Sequence, residues 1–290
     1  MNRLTGSYLS IVAKCRAAAV LRQLIEPSSK YAEIGNAAHE YFETGIEQHD
    51  TFLEVPRFQR PEERTWATVM HEWRFGWNFV TGKYIAVPKG NGGRDYADYP
   101  ADQWVMASCD AAWIEGDTLY IEDLKTGAPQ GPMCEQIVFI ARCAQQAFKH
   151  EGPVVIQILN ATRYGYKTDP KLAGQVTLRS DRLSASELSD KFESMVEEPV
   201  RNALAIENWG HDFQQDAAMP GKHCFFCRSK AYCYQYRAKA SPKSLMYLDK
   251  LREAQEARQD GNKEQGDGNQ SSGQGDNGPD TGGHDGGGAG

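Results

Sequence analysis

The stretch Leu119–Pro129, LYIEDLKTGAP, decides the fold. It begins as an apolar, strand-forming run and ends in Glu122, Asp123, Leu124 and Lys125 before Thr-Gly. Residues two apart on a strand project from the same face, so Asp123 and Lys125 point together while Glu122 points to the other side. The backbone carbonyl of Leu124 lies between them. Upstream, QWVMASCDAAWI (103–114), then EGD, then TLYIEDLKTG (118–127) predict a hairpin closed by a Gly-containing turn. That hairpin brings Asp110 beside Asp123. Two carboxylates and a carbonyl are hard oxygen ligands suited to Mg²⁺ or Mn²⁺. A lysine next to such an ion can orient or deprotonate an attacking water, or neutralise charge on a phosphate. Taken alone, acid-x-Lys is equally a solvated pair at the end of a surface strand, so the rest of the chain has to discriminate.

Working outward, residues 7–25 read as a helix and YAEIGNAAHEYFETGIEQ (31–48) as a second. On the second, Gly35 and His39 are four apart and share a face. A glycine there permits close approach of another backbone, and His39 could then reach the metal, although a lone histidine also serves as a core contact. Residues 62–81, EERTWATVMHEWRFGWNFVT, read as a third helix whose aromatics (Trp66, Trp73, Phe75, Trp77, Phe79) pack in the core or stack on bases. CEQIVFIARCAQQAFKH (134–150) is helical, PVVIQILNATR (153–163) reads as a buried interior strand, and GQVTLRS (174–180) as a further strand. Ser184 and Glu187 form a capping box opening a long helix toward Ile206. SPKSLMYLDKLREAQEARQ (241–259) predicts a last, exposed helix. Helices before and between strands imply an α/β or α+β domain around a mixed central sheet. The organisation expected is a domain over 1–240, an exposed helical extension over 241–260, and a tail over 261–290. That tail is rich in Gly, Asp and Asn and too poor in apolar residues to fold.

The formal net charge of −7 argues against a nucleic-acid partner only until the tail is set aside. From Asp260 onward six acids face Lys263 alone, which leaves the body nearly neutral. Such a body can carry a basic groove, and Arg237, Lys239 and Lys243 in YRAKASPKS could touch phosphates. No run is apolar enough to span a bilayer, and Lys14 and Arg16 interrupt any signal-peptide core, so the expected compartment is the cytoplasm. Seven cysteines in that reducing setting are thiols or metal ligands. Cys224, Cys227 and Cys233 in CFFCRSKAYC have a C-x₂-C-x₅-C spacing that suits a soft metal, with His223 able to complete a Cys₃His zinc site. Cys15 is remote in sequence, but its helix could pack beside the C-terminal segment. Cys109, Cys134 and Cys143 read as core residues.

The order GNAAH, CDAAW, EDLKTG and EQIVF resembles the RecB-type branch of the PD-(D/E)xK nucleases. The resemblance implies a restriction-endonuclease-like sheet, with His39, Asp110, Asp123 and the Leu124 carbonyl as metal ligands. It further implies Lys125 as the catalytic lysine and Gln136 as the residue that positions it or the substrate. The family tyrosine four residues after the glutamine is replaced here by Ile140. One cysteine before these motifs and a C-x₂-C-x₅-C triplet after them is similar to the iron–sulfur members of that branch, the CRISPR-associated adaptation exonucleases and the AddB-type nuclease domains. This implies a [4Fe–4S] cluster on Cys15, Cys224, Cys227 and Cys233, clasping the two ends of the domain together.

The resulting expectation is a Mn²⁺- or Mg²⁺-dependent DNA exonuclease in recombination, repair or end processing. It would act on DNA with a free end or single-stranded DNA, without a membrane and with a possible recombination or phage protein partner. The alternative is a catalytically weak nuclease-like DNA-binding subunit with a zinc or iron–sulfur structural site.

Overall fold

The computed structural model describes residues 4–24, 33, 35–40, 69–88, 96, 98–126, 131–161, 176–207, 214 and 217–266. Nine strands are described: β1 (Leu4–Thr5), β2 (Met70–His71), β3 (Arg74–Asn78), β4 (Tyr84–Val87), β5 (Trp104–Ser108), β6 (Ala111–Glu115), β7 (Thr118–Lys125), β8 (Val154–Ala161) and β9 (Val176–Leu183). The helices are α1 (Gly6–Val12), α2 (Ala17–Val20), α3 (residues 35–40), α4 (Glu135–Ala147), α5 (Ala185–Phe192), α6 (Glu198–Ala205), α7 (Tyr234–Arg237) and α8 (Pro242–Gly266).

The mixed α/β architecture follows the sequence reading, but the sheet is not single. Two mixed sheets form, one ordered β1-β5-β3-β4 and one ordered β2-β6-β7-β8-β9. In the first, β1 runs parallel to β5; in the second, β7 runs parallel to β8; the other pairings are antiparallel. The predicted hairpin is β6–β7, with Ala111 opposite Glu122 and Glu115 opposite Thr118. Its two-residue turn contains Gly116 at φ 59°, the left-handed conformation such turns require. The strand read across 103–114 is in fact two, because the chain leaves the first sheet after Ser108 and enters the second at Ala111. β8 lies between β7 and β9, the interior position its apolar sequence predicts.

The aromatic segment is the main correction. Residues 70–71 and 74–78 are strands β2 and β3, joined by a bend at Glu72 and Trp73, not helix. Trp73, Phe75, Trp77 and Phe79 alternate with period two, and Phe75 and Trp77 are buried in the core. Phe75 meets Phe148 edge-on and Trp77 meets Phe192 the same way, so packing rather than base stacking is their role. Trp66 lies outside the described residues. The helix predicted over 7–25 is also broken: α1 ends at Val12, and the turn at 13–16 precedes α2.

α4 organises the interior. Ile137, Val138, Phe139, Ile140, Ala141, Cys143 and Ala144 are all fully buried. The helix packs against β3, β4 and β5 of one sheet and β7 and β8 of the other, with α1 and α5 against it. Ile140 is therefore core. The Ser184–Glu187 capping box is present and opens α5. A π turn at Glu193–Glu197 joins α5 to α6, giving the long helical run expected toward Ile206. The last helix exceeds its predicted bound of 260, reaching Gly266; as expected its described side chains are exposed or half-buried except at Leu248, and it touches the body through Leu248 and Asp249. Leu248 packs with Leu24 and Ala231, and Asp249 accepts from Arg237 at 2.9 Å, which makes Arg237 a structural residue. Residues 267–290 of the predicted tail lie outside the described residues. No helix among the described residues is long and apolar enough to cross a membrane.

Candidate active site

The candidate site forms where both sheet-crossing strands bend. β2 passes into β3 through Glu72 and Trp73, and β5 passes into β6 through Cys109 and Asp110. The two bends are tied together: Glu72 N–H donates to the Asp110 carbonyl and Cys109 N–H to the Trp73 carbonyl, each at 3.3 Å. Glu72 sits at φ 52°, an uncommon conformation for a residue with a side chain, of the kind that clusters at functional sites. Leaving the ladder frees Asp110 to turn its carboxylate to the end of β7.

Asp110 is buried and doubly engaged. Its Oδ1 lies 2.6 Å from His39 Nδ1, and its Oδ2 accepts the Leu124 N–H at 2.5 Å. Burial opposes its charge, but the histidine, that N–H and Lys125 together hold its pKa below the usual carboxylate value. Burial likewise opposes a charge on His39, and the adjacent Asp110 carboxylate outweighs it, leaving the histidine pKa raised. Asp123 is also buried, with Oδ2 2.5 Å from Lys125 Nζ. Burial, joined by repulsion from Asp110, exceeds the pull of Lys125 and raises its pKa. Lys125 is desolvated too, but Asp123 and Asp110 hold its proton and raise its pKa. Lys125 Nζ also donates to Gln136 Oε1 at 3.2 Å from the first turn of α4. The structure thus brings together His39, Asp110, Asp123, Leu124, Lys125 and Gln136.

Glu72 is a candidate site residue that the sequence reading missed. A ligand atom each from His39, Glu72 and Asp110 lie within 4.8 Å of one another, a spacing that could hold a cation. The signal was present as an acid ahead of the alternating Trp73, Phe75, Trp77 run, but the helical reading hid it. The glycine expectation also needs correcting. A Cβ on Gly35 would meet Thr126 Oγ1 at 3.5 Å, ordinary contact, so space does not demand glycine there.

The cysteines form a second cluster. Cys15, Cys224, Cys227 and Cys233 are buried free thiols lining one pocket, with His223 and Met219 beside them. Met219 N–H points to Cys15 Sγ at 3.4 Å and Gly221 N–H to Cys224 Sγ at 3.3 Å. Tyr8 Oη is 3.4 Å from Cys227 Sγ, and His223 Nε2 is 3.8 Å from Cys224 Sγ. Burial raises the thiol pKa values of Cys227 and Cys233, so they hold protons that a bound metal would displace. Ser229 Oγ donates to the carbonyls of Ala18 and Leu21, and Leu24 N–H to that of Arg228, joining the N-terminal and cysteine-rich segments directly. Four buried thiols, with backbone N–H donors aimed at Cys15 and Cys224 and a hydroxyl at Cys227, fit a thiolate-bound metal or cluster. Cys109 and Cys143 are core residues, and Cys134 is the half-buried N-cap of α4.

A search of protein families finds no match for this chain, and a search of curated proteins finds none.

Proposed function

We propose that this protein is a metal-dependent DNA exonuclease of the PD-(D/E)xK type, RecB branch. The observation that carries this reading is the meeting of His39, Asp110, Asp123, Lys125 and Gln136 at the C-terminal end of β7. The donor set suits Mn²⁺ or Mg²⁺: His39, Glu72 and Asp110 offer ligand atoms within 4.8 Å of one another, and Asp123 and the Leu124 carbonyl, which lie outside that group, follow beside it on β7. A divalent cation there supplies Lewis-acid polarisation of a phosphoryl oxygen and acidifies water.

The chain's own residues divide the remaining work. Asp110 fixes His39 by accepting at Nδ1, which leaves Nε2 for a ligand. The Leu124 N–H holds the other oxygen of Asp110, so its carboxylate cannot rotate. Lys125, with its proton held by Asp123 and its position by Gln136, is suited to neutralise charge developing on phosphate. We further propose a [4Fe–4S] cluster on Cys15, Cys224, Cys227 and Cys233. His223 in the same pocket favours a second reading of that site, zinc on three cysteines and a histidine.

The test is end-labelled DNA incubated with Mn²⁺ and wild type, Asp123→Ala or Asp110→Ala protein. Degradation by wild type alone supports the proposal; equal degradation by all three, or by none, contradicts it. Protein purified without oxygen should be brown, whereas colourless protein holding one zinc favours the second reading of the cysteines.

A further inference from the structure

Tyr8 is placed where a core position has no need of a hydroxyl. It lies on α1, is 3% exposed, and packs in the main core with Leu9 and Val12. A buried phenol needs hydrogen-bond partners, and Tyr8 Oη lies 3.4 Å from the sulfur of Cys227, with the Ser229 hydroxyl and the Arg228 backbone also bonding to it. The neighbourhood holds that contact in place. The guanidinium carbon of Arg228 lies 5.5 Å from the centroid of the Tyr8 ring, and Ser229 is fastened to α2 by its two bonds to carbonyls.

We propose that Tyr8 donates a hydrogen bond to the Cys227 ligand and sets the reduction potential of the iron–sulfur cluster, an inference that rests on the cluster reading given above. A metal-bound thiolate has no proton to give, so the phenol must be the donor. Donation draws charge from the sulfur. The reduced state carries one more negative charge than the oxidised state, so it gains more from the donor, and the potential rises. The Met219 and Gly221 N–H groups act in the same sense on Cys15 and Cys224, but they belong to the backbone. Of the two side chains against these sulfurs, Tyr8 on Cys227 at 3.4 Å is closer than His223 on Cys224 at 3.8 Å, and its hydroxyl can be removed with the ring kept.

The experiment is a redox titration, followed by electron paramagnetic resonance, of wild type and Tyr8→Phe reconstituted with iron and sulfide without oxygen. Tyr8→Phe removes one oxygen and keeps the ring. Both proteins should bind iron equally, with the reduction equilibrium constant of the variant lower by roughly tenfold, about 59 mV for one electron. Equal potentials at equal iron content overturn the inference and leave the cluster reading standing. Wild type that takes up no iron overturns both. If Tyr8→Phe fails to fold, 3-fluorotyrosine introduced at position 8 alone keeps the shape and makes a stronger donor. The potential should then rise, and an unchanged or lower value overturns the inference.

Discussion

Replacing Asp110 separates two roles that the structure assigns to one carboxylate: a peg for the end of β7 and a candidate metal ligand. Its Oδ2 accepts the Leu124 N–H in a buried setting, and its Oδ1 meets the partly buried His39. In Asp110→Ala the Leu124 N–H loses its acceptor, a cost of about 1–3 kcal/mol, and His39 loses its charged partner. Breaking a fully buried pair by removing one member costs roughly 3–5 kcal/mol, and the partial exposure of His39 lowers that figure here. Relief of repulsion with Asp123 offsets part of this. In Asp110→Asn the amide oxygen can still accept from Leu124 and the shape is kept, so the loss should stay near about 1 kcal/mol, the worth of one ordinary hydrogen bond. Urea unfolding of chelator-treated protein measures both losses without contribution from metal. Both variants should lose Mn²⁺-dependent cleavage, while only alanine loses several kcal/mol of stability. Equal destabilisation by the two substitutions, or none by either, would refute the reasoning.

Three further outcomes are expected. A Cβ on Gly6 would lie 2.6 Å from Ala107 Cβ and 3.3 Å from Gln136 Cγ. Gly6→Ala should therefore cost about 1–3 kcal/mol of overpacking and shift Gln136 from Lys125, lowering the cleavage rate more than Mn²⁺ affinity; an unchanged rate and melting point contradict this. In metal-free protein the raised pKa of His39 has a definite sign. The stabilisation from its pair with Asp110 is fully present below the ordinary value of 6.5 and is lost as pH rises through the higher folded value. The melting-point gap between wild type and His39→Gln, followed from about pH 5 to about pH 9, should close above neutrality, and a gap that widens contradicts the pairing. Glu122 is buried but projects from the opposite face of β7 to Asp123, so Glu122→Gln should leave Mn²⁺ binding and cleavage nearly unchanged.

Local signals carried β6 to β9 of the second sheet and much of the candidate site. The Gly116 turn fixed the β6–β7 hairpin and thereby the meeting of Asp110 with β7, and period two separated Asp123 from Glu122. The Ser184–Glu187 box marked α5 to within a residue. What failed depended on tertiary structure. The strand entering through Ala107 changes sheets at Cys109 and Asp110, and no local propensity encodes that change. The same seam bends the chain at Glu72, and the flanking aromatics fit a helical stripe as well as an alternating strand until the partner strands are known. The break after Val12 was likewise hidden, because Ala13, Lys14 and Cys15 are acceptable helix residues. The turn there places Cys15 against the C-terminal cysteines.

The central claim is that Lys125 works on a phosphate at a metal site it does not itself form. The most direct measurement is the rate of Mn²⁺-dependent cleavage of end-labelled DNA by Lys125→Ala at saturating metal, with Mn²⁺ affinity measured on the same sample. The account predicts a rate lower by about 10²–10⁴-fold with affinity kept. Cleavage at the wild-type rate, or absence of cleavage from wild type with either Mn²⁺ or Mg²⁺, would contradict it.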